Sequence, residues 1–118
     1  MAQKDRELLI NDLCARLPFG IKVLYDTQIF EVQYIEPMYE EIKLLDNENY
    51  TLSIDEVKPY LFPLSSMTEK QKTELDSIKA KGIDAFEELE EFYYKNYLDF
   101  RGLIELGINF DATDKNIY

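Results

Sequence analysis

The sequence predicts an α+β fold: an N-terminal helix, a small antiparallel SH3-like five-stranded barrel or meander, and C-terminal helices. Two observations predict it. Apolar residues recur at a helical period over residues 3–17, alternate over 20–63, and return to a helical spacing over 66–107. Turn-forming residues fall where the period changes, with Pro18-Phe19-Gly20 after the first segment and Pro63 after the second.

Within residues 3–17, Leu9, Ile10, Leu13 and Leu17 share one side of a helix. Arg6, Glu7, Asn11, Asp12 and Arg16 cover most of the remainder. The strand region follows. Ile21, Val23 and Tyr25 share a face; Phe30, Val32 and Tyr34 alternate with Glu31 and Gln33; Ile42 and Leu44 alternate with Lys43; Tyr50, Leu52 and Ile54 alternate with Thr51 and Ser53. Such alternation means one buried face and one wet face, as in an antiparallel meander. Asp26-Thr27, Glu36-Pro37-Met38 and residues 46–49 supply the turns. Residues 55–58 read as a single helical turn. Tyr60-Leu61-Phe62 reads as a short fifth strand, which Pro59 and Pro63 confine to an edge.

Over 66–107, Thr68 to Lys81 carries only a thin apolar stripe, Leu75 and Ile78, before Gly82. Asp84 reads as the cap of a second helix that buries Ala85, Leu89, Phe92, Tyr93 and Asn96. Residues 101–106 read as a third helix closed by Gly107. Residues 108–118 form a tail, loosely held from Asp111 onward. Ser66-Met67-Thr68-Glu69 and Thr68-Glu69-Lys70-Gln71 each fit the capping box that starts a helix. The whole of 1–118 reads as one domain.

Composition excludes much chemistry. There is no histidine and a single cysteine, Cys14, so His-based catalysis and His or Cys metal sites are not expected. Four glycines provide no G-x-G-x-x-G or P-loop pattern. No Ser-x-x-Lys dyad occurs. Asp111-Ala112-Thr113-Asp114 could offer oxygen ligands to a hard cation, but it lacks the rest of a calcium loop and reads as a polar tail. No catalytic, cofactor or metal residues are therefore assigned, and the chain is not expected to be an enzyme. No apolar run is long enough for a bilayer and no secretory h-region is present, so a cytoplasmic location without membrane contact is expected. The Asn49-Tyr50-Thr51 sequon reads as chance in that setting.

A net charge of -11 disfavours direct binding to phosphate backbones; it serves solubility alone or else suits a basic or nucleic-acid-binding protein partner, with solubility ahead of nucleic-acid mimicry. The sharpest positive feature is an acidic strip, Asp84, Glu87, Glu88 and Glu91, extended if Glu36, Glu40 and Glu41 lie nearby. Tyr94 on the same polar side would be a contact anchor. Against this stands an ordinary solvated face, with Glu91 and Lys95 as an i,i+4 pair. Phe86, Phe92, Tyr93, Tyr97 and Phe100 read as core.

Three segments, DLCARLPFGIKV (12–23), VKPYLFPLSSMTEKQ (57–71) and FRGLIELGINFDAT (100–113), resemble a family of small uncharacterised proteins of gut Bacteroides-type bacteria and their phages and prophages. Its members read close to DLCARLPYGVKV, IKPYLRPMSSMT and FDYRGLIEKGLA. Phe62 stands here where an arginine is common, and Leu106 where a lysine is common. The family carries no established activity; the resemblance implies an intracellular protein of a phage or mobile element. The expected function is that of a phage-associated accessory protein that binds another protein. Alternatives are an acidic nucleic-acid mimic that inhibits a DNA- or RNA-processing or defence enzyme, and a small-barrel nucleic-acid-binding module. The exposed edge strand leaves a dimer open.

Overall fold

A computed structural model describes the backbone of residues 1–118 and every side chain except those of residues 47–50. Tyr50 and Asn49, singled out above, therefore lie outside the described side chains. Helix α1 (Gln3–Arg16) runs into a 3₁₀ turn over Leu17–Phe19. Gly20 then reverses the chain with φ at 79°, a conformation that a Cβ would disfavour.

The strands are β1 (Lys22–Tyr25), β2 (Gln28–Glu36), β3 (Glu41–Leu44), β4 (Asn47–Ser53), β5 (Lys58–Leu61) and β6 (Phe110–Asp111). Asp26 and Thr27 both take positive φ, the geometry that matches a tight hairpin to the twist of its strands. A bulge at Gln33 sets Val32 opposite Leu44 but Tyr34 opposite Lys43. The extra residue shifts the alternation, so Val32 and Ile35 point to the core and Tyr34 points out. Leu9 and Leu13 of α1 pack with Val23, Val32, Ile42, Leu44 and Ile54 in the main core.

Of the two expected forms, barrel or meander, the closed barrel does not form: β1–β4 make an antiparallel meander within an open, mixed sheet of six strands in the order β4-β3-β2-β1-β5-β6. β4 and β6 occupy opposite ends, so no pairing closes a ring. Nor is β5 an edge. It pairs antiparallel with β1 through Pro59 and Lys58, and parallel with β6 through Tyr60 and Leu61. The proline lacks an amide, but the second ladder begins just after it, so the missing donor interrupts nothing.

Beyond β5, Thr68 starts helix α2 (Glu69–Lys79). Its hydroxyl accepts the Gln71 amide and the Gln71 side chain accepts the Thr68 amide. Of the two capping boxes legible in the sequence, this one forms; the Ser66 hydroxyl donates to the Pro63 carbonyl instead. Helix α3 (Phe86–Lys95) is preceded by a 3₁₀ turn over Ile83–Ala85, so Asp84 sits inside a turn and caps nothing. Leu75, Ile78, Ala85, Phe92 and Leu98 form a second, smaller core within this hairpin.

Residues 101–106 are a succession of turns rather than a helix. Gly102 and Gly107 both take left-handed φ, and the buried Asp99 carboxylate accepts the Leu103 and Ile104 amides that a helix would leave free. The tail is also tied down: the Ala112 amide donates to the Leu61 carbonyl, and Tyr118 reaches back to the sheet. No helix among the described residues is long and apolar enough to cross a membrane.

Candidate interaction site

The sequence-marked residues fall into two environments. Asp84, Glu87, Glu88 and Glu91 are exposed on α3 and the turn before it. Lys81 engages Glu88 at 2.7 Å, but among the described residues no cation pairs with Asp84, Glu87 or Glu91. Lys95 reaches Glu74 of α2 at 3.0 Å rather than Glu91, because α2 and α3 lie side by side. Glu36, Glu40 and Glu41 do not extend the strip. Glu40 accepts from Gln3 and lies near Arg6 at the start of α1, and Arg6 also holds Asp55. Helix α3 meets α1 at Arg16, ten residues and about 15 Å further along.

Tyr94 is not an exposed anchor. Only 7% of it is accessible, because the end of α1 and the turn after α3 close over it. Its ring lies under the Arg16 and Arg101 guanidinium groups, with centroid distances of 5.4 and 5.6 Å. Its hydroxyl accepts from Arg101 and donates to Glu90. Phe86, expected in the core, is instead 61% exposed, and neighbouring Ile83 is 91% exposed. Ile83 opens the 3₁₀ turn and Phe86 the helix that follows it, with the buried Ala85 between them, and both large side chains are left in solvent. They stand three residues apart in the chain. Asp84 and Glu87 are their immediate neighbours in the chain.

The cluster that holds Tyr94 escaped the sequence reading, which put Asp12 and Arg16 on the wet side of α1. Both are fully buried. Arg16 Nε donates to Asp12 Oδ2 at 2.8 Å, and its Nη2 donates to the Leu98 carbonyl at 2.7 Å. Arg101 donates to the other Asp12 oxygen. Burial pulls the Arg101 guanidinium down, but its hydrogen bond to Tyr94 and the Asp12 charge outweigh this and hold it above its ordinary value. The cluster bridges the two cores, since α1 belongs to one and Leu98 to the other. A signal was present: Asp12 and Arg16 are four residues apart and border the Leu9–Leu13 stripe. Arg101 carried no periodic signal. Asp12 and Arg16 lie in the segment 12–23 and Arg101 in the segment 100–113, so those two segments meet in space here.

As for ion binding, no group of three or more Asp, Glu or Cys residues among the described residues could hold a metal. The Asp111 carboxylate accepts the Thr113 amide of its own turn. Burial pushes the Cys14 thiol up, away from the reactive thiolate. No family model matches the chain, and neither do any of the curated proteins or solved structures.

Proposed function

We propose that this protein is a phage- or prophage-associated accessory protein that acts without catalysis, by binding another protein through the tip of the α2–α3 hairpin. The observation that carries the reading is the pair Ile83 and Phe86, exposed beside Asp84 and Glu87, which have no internal cation partner among the described residues. Large apolar side chains held in water are the usual core of a protein interface. Acids beside them select a basic surface and repel phosphate backbones. The resemblance of the three sequence segments supplies the phage context.

A second reading, a nucleic-acid mimic, is favoured by the same unpaired acids taken alone. The two readings separate in one experiment. A partner captured from host or phage-infected lysate is tested against Ile83→Ser/Phe86→Ser and against Glu87→Lys/Glu91→Lys. Protein docking expects the apolar pair to lower affinity by tenfold or more, with a residue of binding that survives high salt. Mimicry expects loss only with the charge reversal, and a steep salt dependence throughout. Retention of binding by both double variants overturns the assignment of the hairpin tip.

A further inference from the structure

The β1–β5 ladder stops one step early. Val23 faces Pro59 and Leu24 faces Lys58, but Lys22 and Tyr60, the next residues out, are not joined directly. The Tyr118 hydroxyl stands between them. It accepts the Lys22 amide at 2.8 Å and donates to the Tyr60 carbonyl at 2.8 Å. One phenol oxygen thus takes both the donor and the acceptor that a strand-to-strand hydrogen bond would have consumed.

The surroundings of the ring belong to the body of the protein. Tyr97 stacks on it with centroids 3.8 Å apart and planes within 15°, and Phe62 meets it edge-on at 5.8 Å. Tyr97 takes φ of 56°, a left-handed conformation unusual for an aromatic residue. Its hydroxyl is fixed to the Phe19 carbonyl and its own carbonyl accepts the Phe62 amide. These bonds hold the stacking floor in place without help from residues 112–118.

The strap that delivers Tyr118 is held between its two ends by local bonds alone, from the Thr113 amide to the Asp111 carboxylate and from the Lys115 amide to the Ala112 carbonyl. After the Ala112 amide bond to Leu61, residues 113–116 are all exposed, and Asp114 and Asn116 both take positive φ. A cavity of about 210 Å³ lies beneath the strap, between Phe62, Thr68 and Leu98 on the body and Thr113 and Asp114 above.

We propose that the seam between β1 and β5 is a phenol-binding slot, that Tyr118 is its exchangeable occupant, and that residues 113–118 form a strap whose release opens the slot. The ligand class is a phenol ring. The Lys22 amide and Tyr60 carbonyl read its hydroxyl, Tyr97 stacks on its face, and Phe62 meets it edge-on. Burial pushes the Tyr118 phenol up, so the occupant keeps the proton it donates to Tyr60. The slot is separate from the hairpin tip, and its test does not depend on the proposed function.

The experiment uses the full chain carrying Tyr118→Ala, with p-cresol and toluene as probes. p-Cresol is expected to raise the melting temperature saturably and to shift the Lys22 amide resonance, with toluene at least tenfold weaker. Equal effects of the two probes, or no effect on the folded variant, would overturn the assignment. Native-state hydrogen exchange on the unaltered chain tests release of the strap and does not require the variant to fold. The Lys22 amide is expected to exchange at least tenfold faster than the Val32 amide, through an opening insensitive to low denaturant. Exchange of both amides only by global unfolding would refute an exchangeable occupant.

Discussion

Helices α1 and α3 both carry charged residues beside an apolar stripe, yet they use them in opposite ways. On α1, Asp12 and Arg16 are swallowed between two cores and linked to Leu98 and Arg101. On α3, Asp84, Glu87 and Glu91 remain in solvent without an ion partner among the described residues. The difference lies in what arrives from elsewhere in the chain. The turn after α3 brings a carbonyl and a guanidinium to α1, while among the described residues no cation reaches Asp84, Glu87 or Glu91. A buried charge needs its partners and has little freedom left for recognition. An exposed, unpaired one adds little to stability and remains available to a partner.

Breaking the buried side of this comparison should have the largest effect. Arg16→Ala leaves the Asp12 carboxylate inside the protein with one of its two cations gone. It is expected to destabilise the fold by about 3–5 kcal/mol, measured by urea unfolding. A loss below about 1 kcal/mol would mean that the site admits water and that the contrast with α3 is one of degree.

An intermediate effect is expected where the exposed hairpin begins. Thr68→Ala removes the hydroxyl that accepts the Gln71 amide and should destabilise by about 1 kcal/mol. Ser66→Ala removes a donor to the Pro63 carbonyl but no helix cap, and a smaller loss is expected in the same denaturation series. Equal losses would show that both hydroxyls serve the start of α2.

The smallest effect is expected on the solvated side. Glu87→Lys/Glu91→Lys should change stability by no more than about 0.5 kcal/mol, because no internal partner is lost. The unfolding midpoint measures this directly. A large shift in either direction would place these acids in the architecture and remove the best reason to assign them to binding.

Much of the local structure was legible because its causes are local. The alternation of Ile42 and Leu44, the two-residue turn at Asp26-Thr27 and the capping box at Thr68 each follow from neighbours within four residues. The acids at 84, 87, 88 and 91 were placed correctly on the outside for the same reason. Tyr94 was misplaced because α3 has a second covered side, created by α1 and by Arg101, that a single apolar stripe does not reveal. Pro59 suggested an edge, but β6 comes from fifty residues further on and pairs beyond the proline. Residues 101–106 have a helical pattern, yet Asp99 and two left-handed glycines hold them as turns.

The sequence by itself determined the α+β class, the order of its first helix, strands and hairpin, and the absence of histidine and of glycine-rich phosphate loops. Periodicity, turn chemistry and composition act within a few residues and are written directly in the chain. Only the tertiary structure decided that the sheet stays open, that Asp12 and Arg16 are core, and that Ile83 and Phe86 are surface. It also decided that Tyr118 wedges between β1 and β5. Burial is set by whichever distant segment comes to cover a residue: the Leu98 carbonyl reaches Arg16 across 82 positions, and the Tyr118 hydroxyl reaches the Lys22 amide across 96.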